Sequence, residues 1–349
     1  MKTEIVNITD VNAAAEKQAL KRAGELLRNG KLVVFPTETV YGLGADATDA
    51  QAAKKIYAAK GRPSDNPLIV HVADPKEAEK YAVLSPRYHQ LAEAFMPGPL
   101  TVIMPVKDTV PKSVTAGLST VAIRCPAHPV ARAMLIEAGI PVAAPSANLS
   151  GSPSPTCAKH VMDDMDGRVD MILDGGDCEI GVESTIVKIE EDETLTLLRP
   201  GAITKEMLAC IAGEIHIADA VLGMLPEGAV ALSPGMKYRH YAPKAALYLL
   251  KGSPEQMVTH IQRQEGKIGL LCYEEERPLF ERVLPADHCF SLGNQANRLQ
   301  QAQRLFYLLR EMDKLQFDVI YAPLPPTDDI GMALYNRMIR AAAHHIVYL

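Results

Sequence analysis

Between Val33 and Ile189, short apolar runs repeatedly meet a small polar cluster broken by glycine or proline. Val33-Val34-Phe35 ends on Pro36-Thr37-Glu38-Thr39-Val40-Tyr41-Gly42, and Ala122-Ile123 ends on Arg124. Val142 to Ala144 leads into Pro145-Ser146-Ala147-Asn148, and Gly181-Val182-Glu183-Ser184-Thr185 opens the run to Ile189. The stretch Ala59 to His71, AKGRPSDNPLIVH, sets Lys60 and Arg62 around a glycine ahead of Leu68-Ile69-Val70. Runs of this kind, bounded by turn formers, predict strands. Pro63, Asp65 and Pro67 exclude a helix after Arg62 and predict that both cations sit on a loop entering a strand. Helical stripes lie between the runs, for example Leu20, Ala23 and Leu27 ahead of the stop at Gly30. Strands alternating with helices predict an α/β sheet, and polar residues at strand ends point to one crevice.

Two familiar nucleotide signatures do not apply. Gly42-x-Gly44 lacks the immediate strand-to-helix context of a dinucleotide fingerprint, so the glycines are read as points of close backbone approach. No G-x-x-x-x-G-K-[ST] occurs. The net charge of -6 argues against general affinity for nucleic acid, so any RNA contact needs a local basic face. No signal core or membrane-length run is present. The six cysteines form no C-x-x-C pair and have no histidines at ligand spacing, which predicts reduced thiols in a cytoplasmic protein and no structural metal.

At 349 residues the chain has room for two domains. Composition changes near Gly213. The expected division is a first domain at 1–212, a linker or lid at 213–243, and a small α/β, Rossmann-like domain at 244–349. In the last, strands at Ala246–Leu250 and Ile268–Cys272 precede a helix over Gln295–Lys314, whose Leu299, Ala302, Leu305, Phe306 and Leu309 form a core stripe. A second helix is expected around Ile330–Ala343. The linker holds Met236-Lys237-Tyr238-Arg239-His240-Tyr241, a basic and aromatic segment suited to a lid.

Lys-x-Arg followed by Ser-x-Asn, together with GPLTVIMP, APSANLSG, GVESTI, LRPG and SPGMKYRHYAP, resembles the signature of the YrdC-like family over nearly the whole chain. Its members are threonylcarbamoyl-AMP synthases, and the last motif marks the longer, two-domain form. The resemblance implies a twisted open sheet with helices and a crevice at the strand ends. It also implies a reaction: L-threonine, bicarbonate and ATP give threonylcarbamoyl-adenylate and pyrophosphate. Magnesium would ride on the phosphates, and the product would pass to a tRNA threonylcarbamoyl transferase system.

By the same resemblance, Lys60, Arg62, Ser146 and Asn148 would carry catalysis. Asn66, Thr120, Ser154, Arg199 and Tyr241 would join them on ATP, while Thr37, His71, Arg124, Ala144 and Ser184 would hold L-threonine. The residue types suit those roles: a carbamate oxygen attacks the α-phosphorus, no enzyme nucleophile is required, and cations neutralise charge moving onto pyrophosphate. Arg124 can clamp a carboxylate with two parallel bonds. Each residue also has a plainer reading. Arg124 can be a sheet-end arginine paired with an acid, His71 a satisfied strand histidine, and Ser184 a turn hydroxyl. Glu183 can anchor a cation or a ligand amine. Two rivals remain: a non-catalytic RNA-binding module, and a related domain using carbamoyl phosphate. The second normally carries a zinc-finger cysteine spacing that is missing here.

Overall fold

The computed structural model describes residues 2–223 and 240–349. The chain divides into two compact units, Met1–Ser150 with Ser154–Lys237, and Gly151–Pro153 with Tyr238–Leu349. Of the expected lid, residues 224–239 lie outside the described residues.

Among the described residues the first unit holds one sheet of eleven strands. From one edge they run Glu4–Asn7, Met171–Asp174, Val33–Phe35, Gly42–Asp46, Val142–Ala143, Ile69–His71, Thr120–Arg124, Leu100–Pro105, Thr185–Ile189, Leu195–Arg199 and Ile215–Ile217. Parallel and antiparallel pairs are mixed: Ile69–His71 runs parallel to Thr120–Arg124, which runs antiparallel to Leu100–Pro105. The edge strand Ile215–Ile217 and a turn at Asp219–Val221 lie within the stretch that composition marks as a connection. Gly42 and Gly44 sit inside a strand, not in a strand-to-helix turn.

Helices cover the sheet. Ala14–Arg28 and Pro129–Ala138 pack on Val33, Phe35, Met171 and Leu173, burying Leu20, Leu27, Met134 and Leu135. Helix Ala50–Lys60 starts at Asp49, whose carboxylate accepts from Gln51 N. It stops at Gly61, which takes the left-handed conformation, φ 61°, that a side chain disfavours. Lys60 is therefore the last helical residue and not a loop residue; the proline-rich stretch that was expected to hold both cations begins only after the glycine cap. Arg62 does lie on the loop.

The second unit has a five-stranded sheet, parallel throughout, in the order Cys289–Ser291, Ile268–Cys272, Val319–Pro323, Ala246–Lys251, Ile346–Tyr348. A Ser253–Gln256 capping box opens helix Pro254–Ile261, and Asn297 caps helix Arg298–Leu315. Ala302, Leu305, Phe306 and Leu309 are buried as the stripe requires, but Leu299 is 42% exposed, one turn too early to reach the core. Helix Gly331–Ala341 completes the unit.

No disulfide joins the six cysteines; Cys210 is exposed and the other five are buried. Among the described residues no helix is long and apolar enough to cross a membrane.

Candidate functional site

Strand register places a row of polar side chains across the middle of the first unit's sheet. His71 pairs with Arg124, and Arg124 with Thr101, on three neighbouring strands. Residues in register share a face. Thr101 Oγ1 lies 2.8 Å from Ser184 Oγ, which extends the row to the next strand.

Arg124 is the centre of this row. Its Nη2 donates to Glu38 Oε1 at 2.6 Å, and the other oxygen of Glu38 accepts from Ala127 N and His128 N at 3.0 and 3.3 Å. Burial alone would raise the Glu38 carboxyl, but the charge and hydrogen bond of Arg124, with backbone N–H groups, hold it below the usual carboxylate range. The pair is thus ionised and fixed. The buried Arg124 Nε has no hydrogen-bonding partner among the described residues. A guanidinium donor left empty in a buried site is costly unless a ligand fills it.

The groups around Arg124 are equally fixed. His71 is buried, with Nδ1 3.1 Å from Ile69 O and its ring edge-on to Phe35. Burial, assisted by the charge of Arg124, pushes the imidazole down to about 3, so it is neutral. Thr37 Oγ1 donates to Val40 O at 2.6 Å and accepts from the backbone of Thr39 and Val40, closing the turn after Val33–Phe35. Arg199 donates through Nε to Ser184 O at 3.0 Å and through Nη2 to Ser184 Oγ at 3.1 Å. Arg199 and Ser184, assigned to different substrates by resemblance, are direct neighbours. Gly201 secures this corner: a Cβ there would stand 2.6 Å from Thr185 N. Ala144 N donates to Ile69 O at 2.8 Å, which places its backbone beside the His71 strand.

The loop 146–148 forms a second cluster. Lys60 is 2% exposed, and its Nζ donates to Ser146 O and Asn148 O, each at 2.5 Å, and to Asn148 Oδ1 at 3.3 Å. Ser146 Oγ donates to the same Asn148 Oδ1 at 2.5 Å. The ammonium at the helix end therefore braces the loop from below. Arg62 Nη2 reaches Asn66 O and Pro67 O, both at 3.3 Å. Asn66 is 1% exposed, yet among the described residues neither its amide nitrogen nor its amide oxygen has a hydrogen-bonding partner. Ser154 Oγ, fully buried, donates to Glu183 Oε1, so Glu183 anchors a hydroxyl.

Thr120 stands on the same face as Arg124, four residues and roughly 13 Å down the strand. Between them that face is apolar, with Ile69, Ile103, Ala122, Ile186 and Leu198 forming one cluster. Tyr241 belongs to the second unit, where its ring stacks on Phe306 with centroids 5.2 Å apart.

Three contacts around these residues were not legible in the sequence. Glu38 lies beside Thr37, but its pairing with Arg124 spans 86 residues. Thr101 sits inside the GPLTVIMP motif as an apparent strand residue. The Ser154–Glu183 contact joins two motifs that sequence spacing does not relate.

Comparisons with known proteins identify the family. A family model described as "Telomere recombination", covering the Sua5, YciO and YrdC proteins, matches residues 25–201. One described as the threonylcarbamoyl-AMP synthase C-terminal domain matches residues 203–343. A Bacillus subtilis threonylcarbamoyl-AMP synthase is 46% identical over 99% of this chain and 100% of its own length. A Schizosaccharomyces pombe protein of the same name is 38% identical over 94% of this chain and 89% of its own. The crystal structure of Pyrococcus abyssi Sua5 complexed with L-threonine matches with a TM-score of 0.89 and 40% identity, covering 99% of this chain and all of that one. The chain belongs to the YrdC-like threonylcarbamoyl-AMP synthase family, in the two-domain form with the C-terminal extension.

Proposed function

We propose that this chain converts L-threonine, bicarbonate and ATP to L-threonylcarbamoyladenylate and pyrophosphate, for the threonylcarbamoyladenosine modification of tRNA next to the anticodon. The observation that carries this reading is the pair of buried, unsatisfied groups, Arg124 Nε and the Asn66 amide, in a chain whose full-length relatives bear that enzyme's name. That naming favours catalysis over a non-catalytic RNA-binding module.

Arg124, held by Glu38, offers its free edge to the threonine carboxylate. The neutral His71, Thr37, Ser184 and the Ala144 backbone enclose the rest of the amino acid. The apolar strip then runs toward Thr120, long enough for a nucleotide lying along the sheet. Arg62 and the Asn66 amide meet the triphosphate. Lys60 acts first as a positioning residue, since its donors already hold Ser146 and Asn148, and it adds positive charge beneath that loop. Ser154 and Arg199 flank the phosphate path, and the family resemblance adds Tyr241 to the nucleotide set.

The chemistry is in-line attack by the carbamate oxygen of N-carboxy-threonine on the α-phosphorus, with pyrophosphate leaving. The protein contributes alignment and fixed donors where charge accumulates. Magnesium, as the family resemblance implies, would be held largely by the phosphates of ATP itself. The product would pass to a tRNA threonylcarbamoyl transferase system.

Pyrophosphate release tests the reading. It should require ATP, bicarbonate and L-threonine together, and fall strongly with serine or alanine, since a site built for a substrate group rejects analogues lacking it. Equal release with alanine, or none with threonine, would overturn it.

A further inference from the structure

The second unit contains a cavity that this reaction does not use. Strands Ala246–Lys251 and Val319–Pro323 lie side by side, yet the chain leaves their carboxyl ends in opposite directions. The first crosses through helix Pro254–Ile261 to Ile268–Cys272, on the far side of Val319–Pro323. The second crosses through helix Gly331–Ala341 to Ile346–Tyr348, on the far side of Ala246–Lys251. Such a reversal opens a crevice outside the strand ends, where open parallel sheets bind ligands. Here it is a cavity of about 590 Å³, bordered by residues Leu250 to Gly252 at one strand end and Pro323 to Thr327 at the other. That volume suits a small molecule.

Its lining combines two kinds of side chain. Lys251 and Arg298 are its cations. Lys251 is exposed; its backbone carbonyl accepts from Leu349 N at 3.0 Å, and its ammonium lies over the Tyr348 ring, 5.4 Å from the centroid, with no described carboxylate paired to it. Arg298 donates to Gln295 O at 2.8 Å and to Gln301 Oε1 at 3.4 Å, and no described carboxylate pairs with it. Helix Pro254–Ile261 begins at the same place, adding its positive end. The lining is also aromatic: it includes Tyr273, Tyr335 and Tyr348, together with Pro325 and Pro326. One carboxyl lines the cavity, Glu276, which burial and the neighbouring Glu275 and Glu255 push above the usual carboxylate range.

We propose that this cavity is a second ligand site, for a mononucleotide, with the phosphate on Lys251 and Arg298 and the base among the tyrosines. An inorganic anion alone would leave the tyrosines without a ligand, and an uncharged ring would leave both cations without a counter-charge.

Hydrogen exchange of the full-length protein, with AMP as the probe, tests this. AMP should slow exchange at residues 250–257, 295–301 and 323–327. Lys251→Glu and Arg298→Glu should each raise the AMP concentration for half-maximal protection at least tenfold, with the melting temperature unchanged. Lys251 is exposed, so its variant keeps the fold in any case. Inorganic phosphate or adenosine alone should protect these segments far less than AMP. Protection confined to residues 2–223, or second-unit protection untouched by both substitutions, would overturn the proposal, as would full protection by phosphate alone. The readout maps to the second unit, so it stands or falls separately from the pyrophosphate assay.

Discussion

Replacing Glu38 with glutamine removes the charge that balances Arg124 while keeping the shape of the side chain. The two side chains are 7% and 5% exposed and their bond is 2.6 Å, so solvent cannot take over the lost charge. Breaking a buried pair on one side costs about 3–5 kcal/mol, because the other charge is left behind. At about 2–4 °C per kcal/mol for a unit of this size, Glu38→Gln should melt about 6–20 °C below the parent protein. L-threonine should recover more of that loss than it adds to the parent, since its carboxylate supplies the missing counter-charge to Arg124. Thermal denaturation with and without L-threonine reads both effects. A double-mutant cycle with Arg124→Met isolates the pair, because the second substitution should cost much less once the first is made. Additive losses, or a melting point within about 2 °C of the parent, would refute the account of Arg124.

Other substitutions separate the remaining roles. Arg62→Ala should lower turnover at least tenfold with the melting temperature preserved, as expected when a contact worth about 2–4 kcal/mol to a developing anion is lost. Lys60→Met should lower turnover and stability together, since it frees the 146–148 loop; stability equal to the parent would count against the bracing role. Gly201→Ala should impair threonine-dependent turnover by displacing Thr185 beside Ser184, measured as a loss in kcat/KM. His71 gives a pH signature. Its folded value of about 3 lies below the unfolded 6.5, so the stability it contributes is present above 6.5 and is lost as pH falls toward 3. The difference is worth roughly 5 kcal/mol at one unit per 1.36 kcal/mol. His71→Gln should therefore flatten the stability profile between pH 6.5 and 3, and an unchanged acid limb in urea titrations would remove His71 as its cause.

Much of the first unit was legible because its signals are local. The run at Val33–Phe35 and the helix that buries Leu20, Ala23 and Leu27 ahead of Gly30 both follow from period and punctuation. Lys60 was misplaced because Pro63, Asp65 and Pro67 sit close enough to hide that the helix runs on to Gly61. Leu299 fits the stripe by spacing, but it lies in the first turn of its helix, where the end points away from the core. The site was harder to read. Thr37, His71, Arg124 and Ser184 belong to recognisable clusters, whereas their mutual bonds depend on sheet register. Nothing between positions 38 and 124 announces an ion pair, and nothing local puts Arg199 against Ser184. Loop 151–153 groups with the second unit, where Arg310 donates twice to Pro153 O, a contact spanning 157 residues that periodicity does not reveal.

The central claim is that Arg124 and its neighbours hold threonine so that its carbamate attacks ATP. Mass spectrometry of the reaction with carbon-13 bicarbonate tests it most directly. The parent protein should yield an adenylate that contains both threonine and the labelled carbon, and Arg124→Met should yield none while remaining folded. A labelled adenylate formed equally well by Arg124→Met, or a nucleotide product without the label, would contradict the account.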